Sequence, residues 1–131
     1  MQLKPDDVLY SPLPIYHSVA GLVGTGLSLV CGITIVLKPK FSASQFWSDC
    51  IKYEVTISQY VGELCRYLLA QPPKPIEKEH KVRLFFGNGL RATFWGPMKK
   101  RFNLEKLIEF FGSTEGNASL SMLLKMKKYI H

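Results

Sequence analysis

A short polar stretch near the C-terminal end of the chain follows an apolar segment and has the residue types of a ligand site. Leu107 to Phe111 has the composition of a buried strand in a parallel sheet, and it runs into Gly112-Ser113-Thr114-Glu115-Gly116-Asn117. Ligands of open α/β sheets bind just beyond the carboxyl ends of the strands, where Thr114 and Glu115 would stand. The same residue types are common in solvent-exposed turns, so these residues alone leave both interpretations open.

Five strand-like segments alternate with four helical patterns along the chain. The strand-like segments lie near residues 7–13, 33–37, 55–58, 82–86 and 107–111. This alternation predicts an α/β fold with a mostly parallel sheet, flanking helices and right-handed crossovers. The turns after the first, third, fourth and fifth strands would then emerge at one edge of the sheet. The groups expected to face one crevice at that edge belong to His17, Gln59-Tyr60, Gly87-Asn88-Gly89 and Ser113-Thr114-Glu115.

Three further signals predict where elements begin or end. Residues 43–51 place their apolar side chains on one helix face, and Ser42 and Gln45 have the spacing of a capping box. The last helical pattern is interrupted by Gly96-Pro97. Because proline in a helix interior costs about 3 kcal/mol, we expect the regular helix to begin near that proline. The proline-rich stretch 72–80 is predicted to be a surface loop.

Residues 18–36 carry no charge, and their number is close to the roughly 20 apolar residues that a transmembrane helix needs. Gly32 suits the C-terminal end of a helix, however, and the β-branched residues 33–36 that follow it suit a strand. We therefore favour a buried helix that turns into a buried strand over a membrane span.

The composition is that of one globular domain with a basic C-terminal part. With 131 residues, 47% of them hydrophobic, the chain is long enough for one core and too short for two ordinary domains. Its net charge is +7, of which residues 91–131 contribute +5. Lys99-Lys100-Arg101 lies beside helix-spaced apolar residues, which favours a solvated helix face over a nucleic-acid or membrane surface.

The cysteines and histidines indicate neither a disulfide framework nor a zinc site. The three cysteines lie in apolar patterns without close spacing, which predicts reduced thiols in the core, and the three histidines have no metal-ligand spacing. These residues are Cys31, Cys50, Cys65, His17, His80 and His131. Polar residues rather than an apolar run follow Met1, so we expect no signal peptide.

Five sequence blocks occur in unbroken order and together carry a specific resemblance. They are Leu13-Pro14-Ile15-Tyr16-His17-Ser18, Lys40-Phe41-Ser42-Ala43-Ser44-Gln45-Phe46-Trp47, Gln59-Tyr60-Val61-Gly62-Glu63, Gly87-Asn88-Gly89-Leu90-Arg91 and Phe111-Gly112-Ser113-Thr114-Glu115-Gly116-Asn117. In this order they resemble the fatty acid transport proteins, also called very-long-chain acyl-CoA synthetases, within the AMP-forming adenylating superfamily. The resemblance runs from about Asp6 to Leu120 and implies part of the large N-terminal domain of such an enzyme.

The resemblance implies a ligase activity coupled to fatty acid uptake. The family joins a long-chain or very-long-chain fatty acid to ATP as an acyl-adenylate and then transfers the acyl group to coenzyme A. ATP or AMP, Mg²⁺ and coenzyme A are therefore the implied ligands. Association with a membrane on its intracellular face, at the endoplasmic reticulum, plasma membrane or peroxisome, is implied as well.

The same resemblance gives catalytic and acyl-binding roles to particular residues. Thr114 would hydrogen-bond the α-phosphate, and Glu115 would help to hold Mg²⁺, an oxygen-seeking ion. His17 would lie near the acyl carboxylate. The residues that would border the tunnel for the acyl chain, with His17 at its end, are Tyr60, Val61 and Gly62.

The adenine pocket is implied in the same way. Gly87-Asn88-Gly89 would line the adenine with backbone, and Gly112 and Ser113 would belong to the nucleotide site with Thr114. Phe111 stands where the family usually has tyrosine against the adenine, so the stacking face is kept and the hydroxyl is lost.

The chain also departs from the family pattern. No phosphate-binding loop rich in Ser, Thr and Gly precedes Asp6, and nothing after Leu120 supplies the ribose-binding Asp, the hinge or the C-terminal lid with its lysine. We therefore expect residues 1–120 to form a partial adenylation domain and residues 121–131 a divergent basic tail, and we expect the chain alone to be inactive. The alternative is a small basic membrane-associated or interaction protein without catalytic activity.

Overall fold

The computed structural model describes residues 2–112 and the strand backbone of residues 119–123. The strands in this part are β1 Val8–Ser11, β2 Thr34–Leu37, β3 Ile57–Val61, β4 Leu84–Asn88, β5 Lys106–Gly112 and β6 Ser119–Leu123. They form one sheet in the order β2-β1-β3-β4-β5-β6, in which the first five strands are parallel. The predicted α/β fold with a mostly parallel sheet is confirmed.

The sixth strand is an element that the sequence patterns did not predict. β6 pairs antiparallel with β5, with Leu120 opposite Phe111 and Leu123 opposite Ile108. The predicted boundary between an adenylation domain and a tail, after residue 120, falls within this strand. That division of the chain stays a prediction.

Helices connect the parallel strands and lie on both faces of the sheet. They are a π-helical segment Val19–Thr25 that continues into α1 Gly26–Cys31, then α2 Phe46–Lys52, α3 Gly62–Ala70 and α4 Ala92–Arg101. A 3-10 turn, Pro75–Lys78, lies between α3 and β4. α2, α3 and α4 cover one face of the sheet, where their apolar side chains join a large core around Tyr10, Phe46 and Phe85. The π-helical segment and α1 cover the smaller core on the other face.

The uncharged segment 18–36 is a helix followed by a strand, as predicted. The helix ends at Gly32, whose φ of 67° suits glycine, and β2 begins two residues later. The expectation that the helix is buried was only half right, because Leu22, Leu29 and Val30 are exposed. Among the residues that the structure describes, no helix is both long and apolar enough to cross a membrane.

The third strand begins later than the sequence predicted. The predicted strand covered residues 55–58, but β3 runs from Ile57 to Val61, so Gln59 and Tyr60 belong to the strand and not to the turn after it. Thr56, directly before the strand, bonds through its backbone to Val8, Arg83 and Leu84 and through its side chain to the residues before and at the start of β1. Its hydroxyl donates to the Asp7 carboxylate across 2.7 Å and accepts from the Val8 N–H across 3.0 Å.

The predicted starts of α2 and α4 were wrong. The capping box does not form, because the Ser42 hydroxyl bonds to the Ser44 hydroxyl at 3.3 Å and the helix begins at Phe46. α4 begins at Ala92 and contains Pro97. Trp95 anchors this first part of the helix, because its indole N–H donates to the Leu90 carbonyl across 3.2 Å. This local hydrogen bond adds a contact at the helix start, whereas Pro97 removes one helical hydrogen bond.

The proline-rich stretch before β4 is more than a surface loop. It contains the buried Glu77, whose carboxylate accepts hydrogen bonds of 2.6 and 2.9 Å from the Arg101 guanidinium. Arg101 also donates to the carbonyls of Leu69 and Gln71 across 2.8 Å. Arg101 therefore connects the loop and the end of α3 to the end of α4. The buried Glu77 carboxylate requires such a partner, because an unpaired buried charge is costly.

The prediction of reduced core cysteines held for two of the three. Cys50 and Cys65 are free and buried, and burial raises the pKa of both thiols well above their usual range. Cys31 is free but exposed at the end of α1, where the helix face turns to solvent.

Candidate functional site

The carboxyl ends of β3, β4 and β5 lie side by side and bring several predicted site residues to one edge. The parallel register places Val61 opposite Asn88 and Gly87 opposite Glu109. Phe111 lies two residues beyond Glu109, and 73% of its side-chain surface is exposed. An exposed aromatic ring beside a glycine-containing strand end can stack on a flat ligand. The exposed ring of Phe111 and the glycine-containing end of β4 therefore lie at the same edge of the sheet.

The glycines at this edge are required by the packing of neighbouring turns. A Cβ atom on Gly62 would lie 1.8 Å from the Gly89 carbonyl oxygen, and one on Gly87 would lie 1.9 Å from the Tyr60 carbonyl oxygen. Gly89 also has a φ of +76°, which other residues rarely adopt. The backbone of the β4 end therefore approaches the backbone of the β3 end closely. The resemblance assigned Gly87 and Gly89 to the adenine pocket, a role that stays a prediction.

Glu109 holds the loop after β4 and was not singled out from the sequence. Its Oε1 accepts the Leu90 N–H across 3.1 Å, and its Oε2 accepts the Tyr60 hydroxyl across 2.6 Å. The Leu90 carbonyl accepts from Trp95, so both polar groups of this loop residue are fixed. The available signal was an acidic residue within the apolar strand segment. Glu109 therefore positions the Gly87-Asn88-Gly89 segment.

The three residues predicted to border an acyl tunnel have different surroundings. The Tyr60 side chain is fully buried and stacks on Phe85, with ring centroids 5.1 Å apart. Gly62 packs against Gly89, and the half-buried Val61 lines an open cleft of about 280 Å³. The other lining residues, which are mostly apolar, are Pro12, Leu13, Pro14, Pro39, Lys40, Phe41, Glu63, Leu64 and Tyr67.

His17 lies after β1, at the start of the helical segment that leads to α1. Its carbonyl accepts the N–H groups of Ala20 and Gly21 across 3.0 and 2.8 Å. Its Nδ1 accepts the Val19 N–H across 3.3 Å, and the side chain is exposed. The backbone around His17 is therefore fixed by the helix start, while its ring is accessible.

Ser113, Thr114 and Glu115 lie outside the described residues, so their predicted roles stay predictions. The described part of the chain ends its parallel sheet at Gly112, directly before them. Within that part, no three His, Cys, Asp or Glu side chains are grouped to hold a metal ion. Of the residues predicted to bind the nucleotide, the described part of the chain therefore contains Gly87, Asn88, Gly89, Phe111 and Gly112.

A match to a protein-family model identifies the family of this chain. The model described as AMP-binding enzyme matches residues 1–129. The chain belongs to the AMP-binding enzyme family.

Curated relatives and solved structures agree with the family match. Long-chain fatty acid transport protein 1 of Homo sapiens is 50% identical over 120 residues, which is 92% of this chain and 19% of the relative. The crystal structure of ATP bound MatB from Rhodopseudomonas palustris superposes with a TM-score of 0.77 and 26% identity, over 91% of this AMP-binding chain and 24% of that one. The N-terminal domain of FACL13 from Mycobacterium tuberculosis shares the fold, with a TM-score of 0.76 and 23% identity over 88% of this chain and 29% of that one.

The AMP-binding chain spans about a fifth of the length of the curated relatives that it matches. Its fold corresponds to part of the N-terminal domain of AMP-forming acyl-CoA synthetases. The resemblance to the fatty acid transport proteins, inferred from five sequence blocks, is confirmed.

Proposed function

We propose that this chain is a segment of a long-chain or very-long-chain fatty-acid:CoA ligase that serves fatty acid uptake. The reaction would form an acyl-adenylate from fatty acid and ATP, and then transfer the acyl group to coenzyme A. The observation that carries the proposal is the 50% identity to a long-chain fatty acid transport protein over nearly the whole chain, together with the AMP-binding family match. The isolated chain, which lacks most of the length of its relatives, would be inactive.

The adenine would bind between the end of β4 and the ring of Phe111. The backbone of Gly87-Asn88-Gly89 would line one side, and its position would depend on the bonds that Glu109 and Trp95 make to Leu90. The exposure of the Phe111 ring supports a stacking role. Gly112, which ends β5, would lead into the part of the nucleotide site formed by Ser113.

The phosphates would be held by the residues that follow β5. Thr114 would donate a hydrogen bond to the α-phosphate, and Glu115 would be a carboxylate ligand for Mg²⁺ shared with substrate phosphates. The bound ion would neutralise phosphate charge. Catalysis would depend on positioning and charge neutralisation, without a covalent nucleophile.

The fatty acid would bind on the side of the edge formed by β1 and β3. His17 would lie near the acyl carboxylate, and the mostly apolar cleft beside Val61 supports binding of an apolar chain. Gly62 would let the strand ends approach, and Tyr60 would support the site from the core through Glu109. The proposed setting is the intracellular face of a membrane, at the endoplasmic reticulum, plasma membrane or peroxisome.

A segment exchange tests this function. Residues 6–120 of this chain would replace the matching segment of human long-chain fatty acid transport protein 1, and the parent would be measured alongside it. We expect the chimera to exchange pyrophosphate into ATP only when a long-chain fatty acid is present. Glu115→Gln in the chimera should lower that exchange with little change in fatty-acid binding, because it removes charge at the phosphates. The proposal would be rejected if the chimera folds but its pyrophosphate exchange stays at background while the parent is active.

A further inference from the structure

Two hydrogen bonds in sequence connect the buried side chain of Gln59 to the imidazole of His17. The Gln59 Nε2–H donates to the Val19 carbonyl across 2.5 Å. The Val19 N–H in turn donates to His17 Nδ1 across 3.3 Å. Val19 therefore links a residue in the middle of the sheet to one at the crevice, and both of its backbone polar groups are used.

Gln59 is an unexpected residue at this place in the core. Its side chain is fully buried on the sheet face where Leu9, Ile57 and Phe86 form an apolar cluster. Among the described residues, its Oε1 has no hydrogen-bond partner. A buried unsatisfied oxygen costs about 1–3 kcal/mol, so stability alone would favour an apolar residue here. The amide at this position therefore needs a reason other than packing.

The π-helical segment is shaped to receive this amide. A Cβ atom on Gly24 would lie 2.7 Å from Gln59 Oε1 and 2.9 Å from Nε2, so the amide fits only because position 24 has no side chain. Gly26, which begins α1, would meet nothing within 4 Å in the same test. The sequence thus combines a glutamine on β3 with a glycine one turn beyond Val19.

The bond to Nδ1 determines which ring nitrogen of His17 carries the proton. A neutral imidazole has one N–H and one acceptor nitrogen, so a ring that accepts through Nδ1 donates through Nε2. The His17 side chain is exposed at the carboxyl edge of the sheet. The ring can therefore offer a hydrogen-bond donor to an anionic oxygen.

We propose that Gln59 is a positioning residue for His17, which it holds through Val19 as the Nε2–H tautomer that donates to the carboxylate of the acyl substrate. This inference rests on the proposed function, in which His17 lies near the acyl carboxylate. Gln59 itself touches no substrate. Its effect is to fix the backbone of Val19. The Val19 N–H, which donates to His17 Nδ1, is thereby fixed as well.

The test measures the tautomer of His17 in the 131-residue chain by ¹⁵N NMR under mildly alkaline conditions, where imidazoles are neutral. We expect wild-type His17 to be entirely the Nε2–H tautomer. Gln59→Met should shift it toward the mixture of a solvated imidazole and should speed exchange of the Val19 amide about tenfold. His80 is an internal control, because its Nδ1 accepts the Val82 N–H at 3.0 Å and does not depend on Gln59.

A pair of glycine substitutions gives an independent arm. Gly24→Ala should push the Gln59 amide away and change the His17 tautomer, whereas Gly26→Ala should leave it as in the wild type. If Gln59→Met does not fold, the His17 tautomers of these two glycine variants test the proposal instead. The proposal is overturned if wild-type His17 shows mixed tautomers, if folded Gln59→Met keeps the Nε2–H form, or if Gly24→Ala matches Gly26→Ala. Because no readout needs catalysis, failure here would leave the ligase proposal standing.

Discussion

The Glu109 carboxylate joins three strand ends at the scale of a single residue. It belongs to β5, accepts the Tyr60 hydroxyl from β3 and accepts the Leu90 N–H after β4. Burial, together with the neighbouring Glu109 carboxylate, raises the pKa of Tyr60 well above its usual range. The phenol is therefore kept in the protonated form that donates to Glu109.

Replacing Glu109 with alanine should lower the free energy of unfolding by about 1–3 kcal/mol, because the N–H of the buried residue Leu90 loses its acceptor. The measurement is urea denaturation of the chain. Glu105→Ala is the matched control, since the Glu105 carboxylate is exposed and lies 3.7 Å from Lys106 Nζ; it should cost less than about 0.5 kcal/mol. Equal losses in the two variants would contradict the role given to Glu109.

Residue types at strand ends could be predicted from the sequence, but their partners could not. His17 and the Gly87-Asn88-Gly89 turn were proposed as site residues because they follow apolar segments, and Phe111 was proposed from the family resemblance. Glu109 was passed over because it lies inside the strand, and its two bonds depend on residues 49 and 19 positions away. Tyr60 was placed in a turn because the predicted strand ended at Ser58, whereas β3 continues to Val61.

At the scale of elements, the turns after β3 and β4 are packed backbone against backbone. Gly62→Ala should destabilise the chain by about 1–3 kcal/mol or more, because the added methyl group meets the Gly89 carbonyl and not a flexible side chain. Gly96→Ala in α4, where nothing lies within 4 Å, should be neutral or stabilising by up to about 1 kcal/mol. Thermal unfolding of both variants checks this, and a Gly62→Ala protein as stable as wild type would refute the tight packing.

His80 links the loop before β4 to the end of α4 and makes stability depend on pH. Its ring stacks on Trp47, its Nε2 donates to the Phe102 carbonyl across 2.9 Å and its Nδ1 accepts the Val82 N–H. Burial lowers the pKa of His80 below its usual value of about 6.5. Below that pH the unfolded chain takes up a proton that the folded ring does not, so stability falls as the pH is lowered.

Denaturant unfolding at a series of pH values tests this dependence. We expect the wild-type midpoint to fall as the pH drops from about 6.5. His80→Asn should be less stable at neutral pH, because the ring contacts are lost. Its stability should change less with pH in this range, because asparagine has no ring to protonate. A variant with the wild-type slope would show that other groups cause the dependence.

Element types were easier to predict than element bounds. Apolar periodicity predicted the alternation of strands and helices, and Gly32 predicted the end of α1. α4 begins at Ala92, ahead of Pro97, although the local cost of proline in a helix interior predicted a later start; the Trp95 indole in this first part donates to the Leu90 carbonyl. The predicted capping box does not form, because the Ser42 hydroxyl bonds to the Ser44 hydroxyl instead.

At the scale of the whole molecule, the parallel sheet could be predicted and its strand order could not. Alternating strands and helices require parallel neighbours, but the order β2-β1-β3-β4-β5-β6 depends on which apolar faces meet. β6 was missed because its antiparallel pairing with β5 has no periodic signal in so short a segment. The fold corresponds to part of the larger N-terminal domain of AMP-forming acyl-CoA synthetases.

The central claim is that the 131-residue chain carries one part of a ligase site, and the most direct test is fatty-acid-dependent exchange of pyrophosphate into ATP by the purified chain. Transition-state stabilisation in phosphoryl and adenylyl chemistry needs groups around the whole phosphate chain, and a closing lid commonly completes the site. We predict exchange indistinguishable from that of a Glu115→Ala control. Exchange clearly above that control would contradict the account.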